Sequence, residues 1–140
     1  MQAELEAILS RFGADTGTIH LLEDGVLILK AHVGIPPQVV QIVAKVPIGK
    51  GMAGLAAERN EPVSTCNLQA DRSGDVRPGA KQTGVSGAVA VPIRDGEGRV
   101  VGTLGIGVHR QHEYSAAETK LLLEQASLLA PGGMSECAEQ

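Results

Sequence analysis

The residues best suited to covalent chemistry in this chain of 140 residues are its two cysteines, Cys66 and Cys137. A thiol-based reductase needs one cysteine that attacks and a second that resolves the intermediate. Cys66 ends a short predicted strand and Cys137 lies close to the C-terminus, so the sequence offers no such pair in one region. We interpret Cys66 as a small buried apolar residue, with a redox role or contact with a ligand as the alternative. No catalytic residue is predicted.

Histidines and acidic residues are the next candidates, because they could hold a metal ion. The chain has four histidines: His20, His32, His109 and His112. A zinc or haem site needs ligands that converge, and only His109 and His112 are close in sequence, at a spacing typical of an exposed turn. Asp71 and Asp75 have no histidine beside them. We therefore expect neither a metal site nor a cofactor.

A glycine motif at residues 49–54 matches the G-x-G-x-x-G pattern of dinucleotide-binding proteins. That pattern binds pyrophosphate only within a parallel strand–turn–helix–strand unit. Here the preceding strand is a stub that contains Pro47, and antiparallel hairpins are predicted on either side. The glycines are better explained by a tight entry into a helix.

Charge and composition exclude several classes of partner. The formal net charge is −4 and the isoelectric point is near 5.5, which gives no electrostatic support for nucleic acid or an anionic membrane. No apolar run reaches the roughly 20 residues of a membrane span, and the N-terminus carries acids where a signal peptide is basic. We expect a cytoplasmic protein without nucleic-acid or membrane partners.

Aromatic side chains are nearly missing from the sequence. Apart from the histidines, the chain has only Phe12 and Tyr114. A binding pocket in this protein is therefore expected to be aliphatic, without the aromatic platforms on which nucleobases stack.

The elements that would position these residues can be read from periodicity and turn signals. Two runs of apolar and β-branched residues, 16–22 and 26–33, flank Asp24-Gly25 and predict a hairpin. The runs 87–93 and 100–108 predict a second hairpin in the same way. Amphipathic helices are predicted at residues 3–12, 38–45, 51–59 and 115–130, short extended segments at 46–48 and 62–66, and an irregular stretch at 69–84.

The second hairpin is the most informative element. Neither of its strands alternates between apolar and polar residues, so both faces must be covered. Small residues are frequent in both strands, among them Ala88, Ala90 and Gly105. A glycine inside a strand marks a bulge or a close approach by backbone or ligand. A sheet covered on both faces and hollow on one of them is typical of a domain that binds a small molecule.

The terminal helices carry more apolar surface than one face can bury. Residues 121–123 are three consecutive leucines and spread over a wide arc of the last helix. We explain this arc by burial on two sides, against the sheet and another helix. From it we predict a homodimer through the terminal helices, built by Leu5, Ile8 and Leu9 together with part of the arc.

The order of these elements resembles a GAF domain, a sensor module of signalling proteins. Three pieces carry the resemblance: the glycine motif with its flanks (46–56), Glu61-Pro62-Val63, and the hairpin 87–108 with Pro92 before its turn. The resemblance implies an α+β, profilin-like fold with an antiparallel sheet of about five to six strands and helices on both faces. The resemblance extends over about residues 5–130. We expect one domain at residues 1–130, followed by a flexible tail at 131–140.

The resemblance also implies a pocket on one face of the sheet, roofed by the middle helices and the stretch 69–84. Period-two alternation places Ala88 and Ala90 on one face, and likewise Thr103 and Gly105. The residues expected around the ligand are Leu55, Val63, Thr65, Cys66, Arg72, Arg77, Ala88, Ala90, Thr103 and Gly105. The ligand would be small and largely apolar, with one anionic group met by Arg72, Arg77 or Lys81.

These observations lead to a functional hypothesis with two alternatives. We interpret the chain as a non-catalytic sensor or regulatory module that binds an unknown small molecule. The first alternative is a protein-interaction or dimerisation domain with a degenerate pocket. The second is an enzyme that resembles the free methionine sulfoxide reductases, which share the fold. Those enzymes carry cysteines in the helix of the glycine motif and in the lid, where this chain has Met52-Ala53 and no cysteine within 69–84.

Overall fold

The computed structural model describes residues 1–65 and 86–130. Within these ranges four helices and six strands follow one another in the chain. They are α1 (Gln2–Phe12), β1 (Thr16–Glu23), β2 (Val26–Val33), α2 (Pro37–Val43), β3 (Lys45–Pro47), α3 (Gly51–Arg59), β4 (Val63–Thr65), β5 (Gly87–Arg94), β6 (Val100–Val108) and α4 (Ala116–Ser127). None of the described helices is long and apolar enough to cross a membrane.

The six strands form one antiparallel sheet in the order β3-β2-β1-β6-β5-β4. Both predicted hairpins are present as β1–β2 and β5–β6. Asp24 and Gly25 both have positive φ, 53° and 79°, as a two-residue type I′ turn requires. The predicted α+β fold, with an antiparallel sheet and helices on both sides, is confirmed.

One face of the sheet is closed by the terminal helices, and we call it the closed face. Its large side chains Ile19, Val91 and Leu104 are fully buried and belong to one cluster with Leu5 of α1 and Leu122 of α4. Gly17 allows this approach, because a Cβ there would lie 2.8 Å from Leu9 Cδ2. The closed face therefore holds the main hydrophobic core.

This packing corrects the residues predicted for the dimer. Leu5, Ile8 and Leu9 are all buried inside the chain, so they cannot form a surface for a second copy. The wide arc of α4 is also not buried on two sides. Leu121 and Leu128 remain 39% and 58% exposed, because α4 turns only the face that bears Leu122 and Ala126 toward the sheet.

The opposite face of the sheet, which we call the cavity face, is covered by α2 and α3. Two small clusters lie there: Leu27, Val46 and Ala57 form one, and Ala56, Val63 and Ala90 form the other. α2 is shorter than predicted, because it ends at Val43 and the chain turns at once into β3. Helices therefore lie on both faces, but the second layer has no single large core.

The glycine motif acts as the entry into α3. Gly49 and Gly51 have φ of 88° and 67°, a backbone conformation that glycine adopts without strain. A Cβ on Gly54 would lie 2.5 Å from the Pro47 carbonyl oxygen. The strand before the motif, β3, is antiparallel to its neighbour β2, so the parallel unit of a dinucleotide site is not formed here.

α4 begins with the predicted capping box. The Ser115 hydroxyl accepts a hydrogen bond from the Glu118 backbone N–H, and the Glu118 carboxylate accepts one from the Ser115 N–H. These bonds satisfy two backbone donors that a helix start leaves unpaired. The bond from the Ser115 N–H is the largest reason why the pKa of the Glu118 carboxyl lies below its ordinary value, and His112, at 3.1 Å, lowers it further.

Candidate functional site

A cavity of about 150 Å³ lies between the cavity face of the sheet and the helices above it. Its floor is formed by three neighbouring strands. The floor residues are Thr16, Thr18 and His20 of β1, Ala88 and Ala90 of β5, and Gly105 and Gly107 of β6. Since these strands lie side by side in the order β1-β6-β5, the floor is continuous.

The floor is hollow because its residues are small where the strands are opposed. Gly105 pairs with Thr18 on one side and with Ala90 on the other. Directly opposed residues share a face, so these three positions line the same side of the sheet. A Cβ on Gly105 would lie 3.1 Å from the Thr18 hydroxyl oxygen. The space above the floor is therefore left to other groups.

The roof of the cavity comes from α2 and the start of α3. Val39, Ile42 and Val43 of α2 line it, as do Gly51, Met52 and Ala53 in the first turn of α3. α2 carries no side-chain cap, and Val39 is its only buried residue. Its end is tied to the sheet by two hydrogen bonds, from the His20 imidazole to the Val43 carbonyl and from the Leu29 N–H to the Ala44 carbonyl.

His20 is the residue that connects the floor with the roof. Its side chain is only 2% exposed, and its Nε2 lies 2.8 Å from the Val43 carbonyl oxygen. Burial is the largest influence on its pKa and lowers it from the usual 6.5, while the bond to Val43 acts in the opposite direction. The imidazole is therefore neutral at pH 7.

Aliphatic groups dominate the lining of the cavity. Lys50 is the one side chain with a formal charge among the described lining residues, and it stands at the rim, before the first turn of α3. Within residues 1–65 and 86–130, no cluster of three or more His, Cys, Asp or Glu side chains has the arrangement of a metal site. The chemistry that this lining supports best is the desolvation of an apolar group.

The residues predicted around the ligand are divided by the structure. Ala88, Ala90 and Gly105 line the cavity. Leu55 and Val63 lie beside it, packed with Ala56. Thr65 and Thr103 are also outside the lining, Thr65 at the end of β4 and Thr103 opposite His20. Cys66, Arg72 and Arg77 lie outside the described residues, as do Lys81 and the predicted tail at 131–140.

The difference has a physical reason. Alternation along a strand assigns a residue to a face, but it does not say how far the roof extends over that face. α2 and the first turn of α3 cover the part of the floor nearest β1, whereas Leu55 and Val63 lie where α3 packs directly on β4 and β5. Prediction from the sequence therefore missed Thr16, Thr18 and His20. A histidine within the apolar run 16–22 was the available signal.

The histidine pair at 109 and 112 has a structural explanation. His112 packs edge-on against Tyr114, with ring centroids 4.6 Å apart, and lies 3.1 Å from the Glu118 carboxylate. The His109 backbone N–H donates to the Asp15 carboxylate at 2.9 Å. These contacts fasten the segment between β6 and α4 to its surroundings, and neither histidine is among the lining residues of the cavity.

The curled six-stranded sheet, its helices on both faces and the cavity over one of them together define an α+β domain of the sensor type. A family model described as GAF domain matches residues 1–131. The chain belongs to the GAF domain family, a regulatory and sensor fold, and the resemblance read from the sequence is confirmed. No curated protein sequence matches the chain.

Solved structures with the same fold include both regulatory domains and enzymes. A type II free methionine-R-sulfoxide reductase from Thermoplasma acidophilum has a TM-score of 0.76 at 23% identity, over 94% of this chain and 87% of that one. The GAF domain of an Acinetobacter phosphoenolpyruvate-protein phosphotransferase has 0.72 at 20% identity, over 91% and 75%. The free methionine-R-sulfoxide reductase from Neisseria meningitidis, solved with its substrate, has 0.74 at 19% identity, over 91% and 71%. At these identities the likeness establishes the fold alone.

Proposed function

We propose that this GAF domain is a non-catalytic sensor or regulatory module that binds a small, largely apolar molecule in the cavity over β1, β5 and β6. The observation that carries the proposal is that the strands below the cavity bear small residues, while α2 above it has one buried residue and no side-chain cap. Ala88, Ala90 and Gly105 leave about 150 Å³ open beneath α2. Aliphatic cavities of about this volume bind apolar molecules the size of benzene or xenon, and this cavity is also partly open to solvent, so a ligand has a path of entry. We place the protein in the cytoplasm, in a signalling system.

Two adjacent residues of β5 test the cavity, because Ala90 faces it and Val91 faces the closed core. We expect Ala90→Phe to fill the cavity and abolish xenon binding, measured by the ¹²⁹Xe chemical shift, while the protein stays folded. Val91→Phe is the matched control and should cost about 1–3 kcal/mol by overpacking, with xenon binding retained. If Ala90→Phe destabilises the protein as much as Val91→Phe does, the cavity is filled in solution and the proposal fails.

The reductase alternative has its own test. The solved structures of similar reductases motivate this alternative. The sequence argues against a reductase activity, because Met52 and Ala53 stand where those enzymes are expected to carry a cysteine. We expect no turnover of free methionine sulfoxide with thioredoxin or dithiothreitol as reductant. Turnover that disappears in Cys66→Ser and persists in Cys137→Ser would replace the sensor proposal with an enzymatic one.

We also propose that the domain acts as a homodimer, now through the exposed face of α4. Leu121 of α4 and Leu128, the residue that caps the helix, lie one heptad apart at 39% and 58% exposure. Because Leu128 keeps right-handed helical dihedral angles, a spacing of seven places both side chains on the same side. Two copies packed across a two-fold axis would bury both pairs of leucines. The competing function, which we call the dimer-only function, is that of a protein-interaction or dimerisation domain whose pocket binds no ligand.

Native mass spectrometry of freshly purified protein separates these functions, since it reports oligomeric state and retained ligand together. We expect a dimer that becomes a monomer in Leu128→Glu. The matched control is Ala3→Glu on the exposed side of α1, which should remain dimeric. A monomeric wild-type protein at micromolar concentration would refute the dimer, and a dimer that retains no small molecule and takes up no xenon would favour the dimer-only function.

A further inference from the structure

Lys50 brings a positive charge to the mouth of the cavity. It lines the cavity and is also exposed to solvent, so its aliphatic stem can lie along the lining while its ammonium group stays in water. Within residues 1–65 and 86–130, this ammonium forms no ion pair. The Glu58 carboxylate lies against Gly49, but it is not paired with Lys50 either. No carboxylate of the described ranges therefore neutralises the charge at the mouth.

The backbone that follows Lys50 adds to this positive potential. Lys50 is the N-cap of α3, its side chain caps no backbone group, and the first turn of the helix contains no acidic residue. The N–H groups of Gly51, Met52 and Ala53 have no acceptor among the described residues, and all three residues line the cavity. The helix dipole gives such a first turn a partial positive charge. The side chain and the backbone thus favour an anion at the same opening.

The interior and the mouth of the cavity require different parts of a ligand. An anion placed deep among aliphatic side chains loses its hydration, which is costly, whereas an anion at the mouth stays partly hydrated beside Lys50. A cation at the same place is repelled by the ammonium group. One lysine balances one negative charge, which favours a carboxylate over a phosphate ester, whose charge at pH 7 approaches −2.

We propose that the ligand of the cavity is a short aliphatic monocarboxylate and that Lys50 recognises its charge. The carboxylate binds the Lys50 ammonium at the mouth, and the hydrocarbon chain occupies the space above Ala90 and Gly105. A cavity of about 150 Å³ accommodates roughly the six carbons of benzene, which limits the chain to a similar size. This inference rests on the proposed function and adds to it the chemical class of the ligand.

Three probes with the same branched chain test the proposal on the full chain: 4-methylpentanoate, 4-methylpentanamide and 4-methylpentan-1-amine. We expect the acid to bind about fivefold more tightly than the uncharged amide, the effect of one ion pair at an exposed site, and the amine to bind most weakly. The preference for the acid should disappear in 1 M salt, where charges are screened within about 3 Å. In NMR titrations, the amide protons of Met52 and Ala53 should move to higher frequency with the acid.

Lys50→Met removes the charge and keeps an apolar stem. Because Lys50 is exposed and caps nothing, we expect this variant to stay folded and to bind xenon, while the acid and the amide bind with equal affinity. Lys50→Arg should keep the preference for the acid. The matched control is Lys45→Met on β3, which changes the net charge equally at an exposed residue outside the cavity lining and should leave the preference unchanged.

The outcomes separate this inference from the proposed function. Ala90→Phe leaves Lys50 in place but fills the space for the chain, so it should abolish binding of the acid. If the acid still binds this variant as tightly as the wild type, it is held at the surface alone and the inference is refuted. If the acid and the amide bind the wild type equally, or if the preference survives Lys50→Met, the inference is refuted while xenon binding still supports the proposed function. If neither the probes nor xenon enter the cavity, the proposed function fails as well.

Discussion

Helices cover both faces of the sheet, but the space beneath them is filled very differently on the two sides. On the closed face, Ile19, Val91 and Leu104 interlock with α1 and α4 in one cluster. On the cavity face, the alternate positions of these strands bear small residues such as Ala90 and Gly105, and a space of about 150 Å³ remains above them. Since all these residues lie in the same three strands, the volume of the side chains, and not their burial, distinguishes the hydrophobic core from the cavity.

The contrast extends to the helices that cover each face. α4 is fixed by a full capping box at Ser115 and by Leu122 and Ala126, both buried. α2 has seven residues, one of them buried, and no side-chain cap. Helices as short as α2 are marginal in water and depend on their tertiary contacts. The stable layer thus lies opposite the layer through which a ligand would enter.

The largest effect is expected from core truncation on the closed face. Leu104→Ala should cost about 2–5 kcal/mol of unfolding free energy, because Leu104 is fully buried and its removal leaves a new cavity. Ile42→Ala on α2 should cost less than half as much, since Ile42 already borders open space. Urea unfolding measures both losses, provided that the dependence of the unfolding free energy on urea concentration is the same in each variant as in the wild type. Equal losses would mean that the cavity face is packed as tightly as the closed face.

A smaller effect on stability is expected from alanine substitutions at two glycines of β6, Gly102 on the closed face and Gly105 on the cavity face. A Cβ on Gly102 would lie 2.2 Å from the His20 carbonyl oxygen, whereas on Gly105 the nearest atom is the Thr18 hydroxyl at 3.1 Å. Backbone cannot move aside, so Gly102→Ala should destabilise by about 1–3 kcal/mol.

Gly105→Ala should be close to neutral, because the Thr18 side chain can rotate and alanine loses less backbone entropy than glycine on folding, by about 0.5–1 kcal/mol. Thermal unfolding of the two variants side by side provides the measurement. Similar melting temperatures for both would show that the space above Gly105 is occupied in solution.

The sequence predicted the fold to the level of its hairpins, because turn chemistry and strand periodicity are local. Asp24-Gly25 requires a type I′ turn and Ser115 with Glu118 requires a helix start, whatever surrounds them. The position of the roof is not local. It depends on how α2 is tied to β1 and β2 through Val43 and Ala44, a contact between residues that are distant in sequence.

The sequence also does not show what an apolar helix face packs against. Leu5, Ile8 and Leu9 look alike as an apolar stripe whether they face a core or a partner, and only the close approach at Gly17 places them inside. His20 had no motif around it, and its contact with the Val43 carbonyl joins residues 23 positions apart in the chain. Such contacts follow from the tertiary arrangement, which the sequence alone did not specify.

The smallest expected effect is a pH dependence that distinguishes the cavity face. The pKa of His20 is lower in the folded protein than the ordinary value of 6.5, because burial penalises the charged ring. At a pH between the pKa of the folded state and that of the unfolded state, the unfolded chain binds the proton more readily. The free energy of unfolding therefore falls as the pH drops below about 6.5, and the contribution of His20 is complete above that pH. On the closed side, the carboxylate of Glu118 has a lowered pKa, so its contribution is lost only as the pH falls below its ordinary value of 4.5.

Unfolding free energies measured between pH 7.5 and 5.5 therefore report on the cavity face. We expect His20→Gln to lose the part of the slope that His20 causes, and His32→Gln, at an exposed position of β2, to keep it. Xenon in the cavity should steepen the slope, because a filled cavity removes the remaining space in which the charged ring could be hydrated. A slope that is the same in wild type and His20→Gln would mean that water reaches the ring, and the two faces would then differ less than the structure indicates.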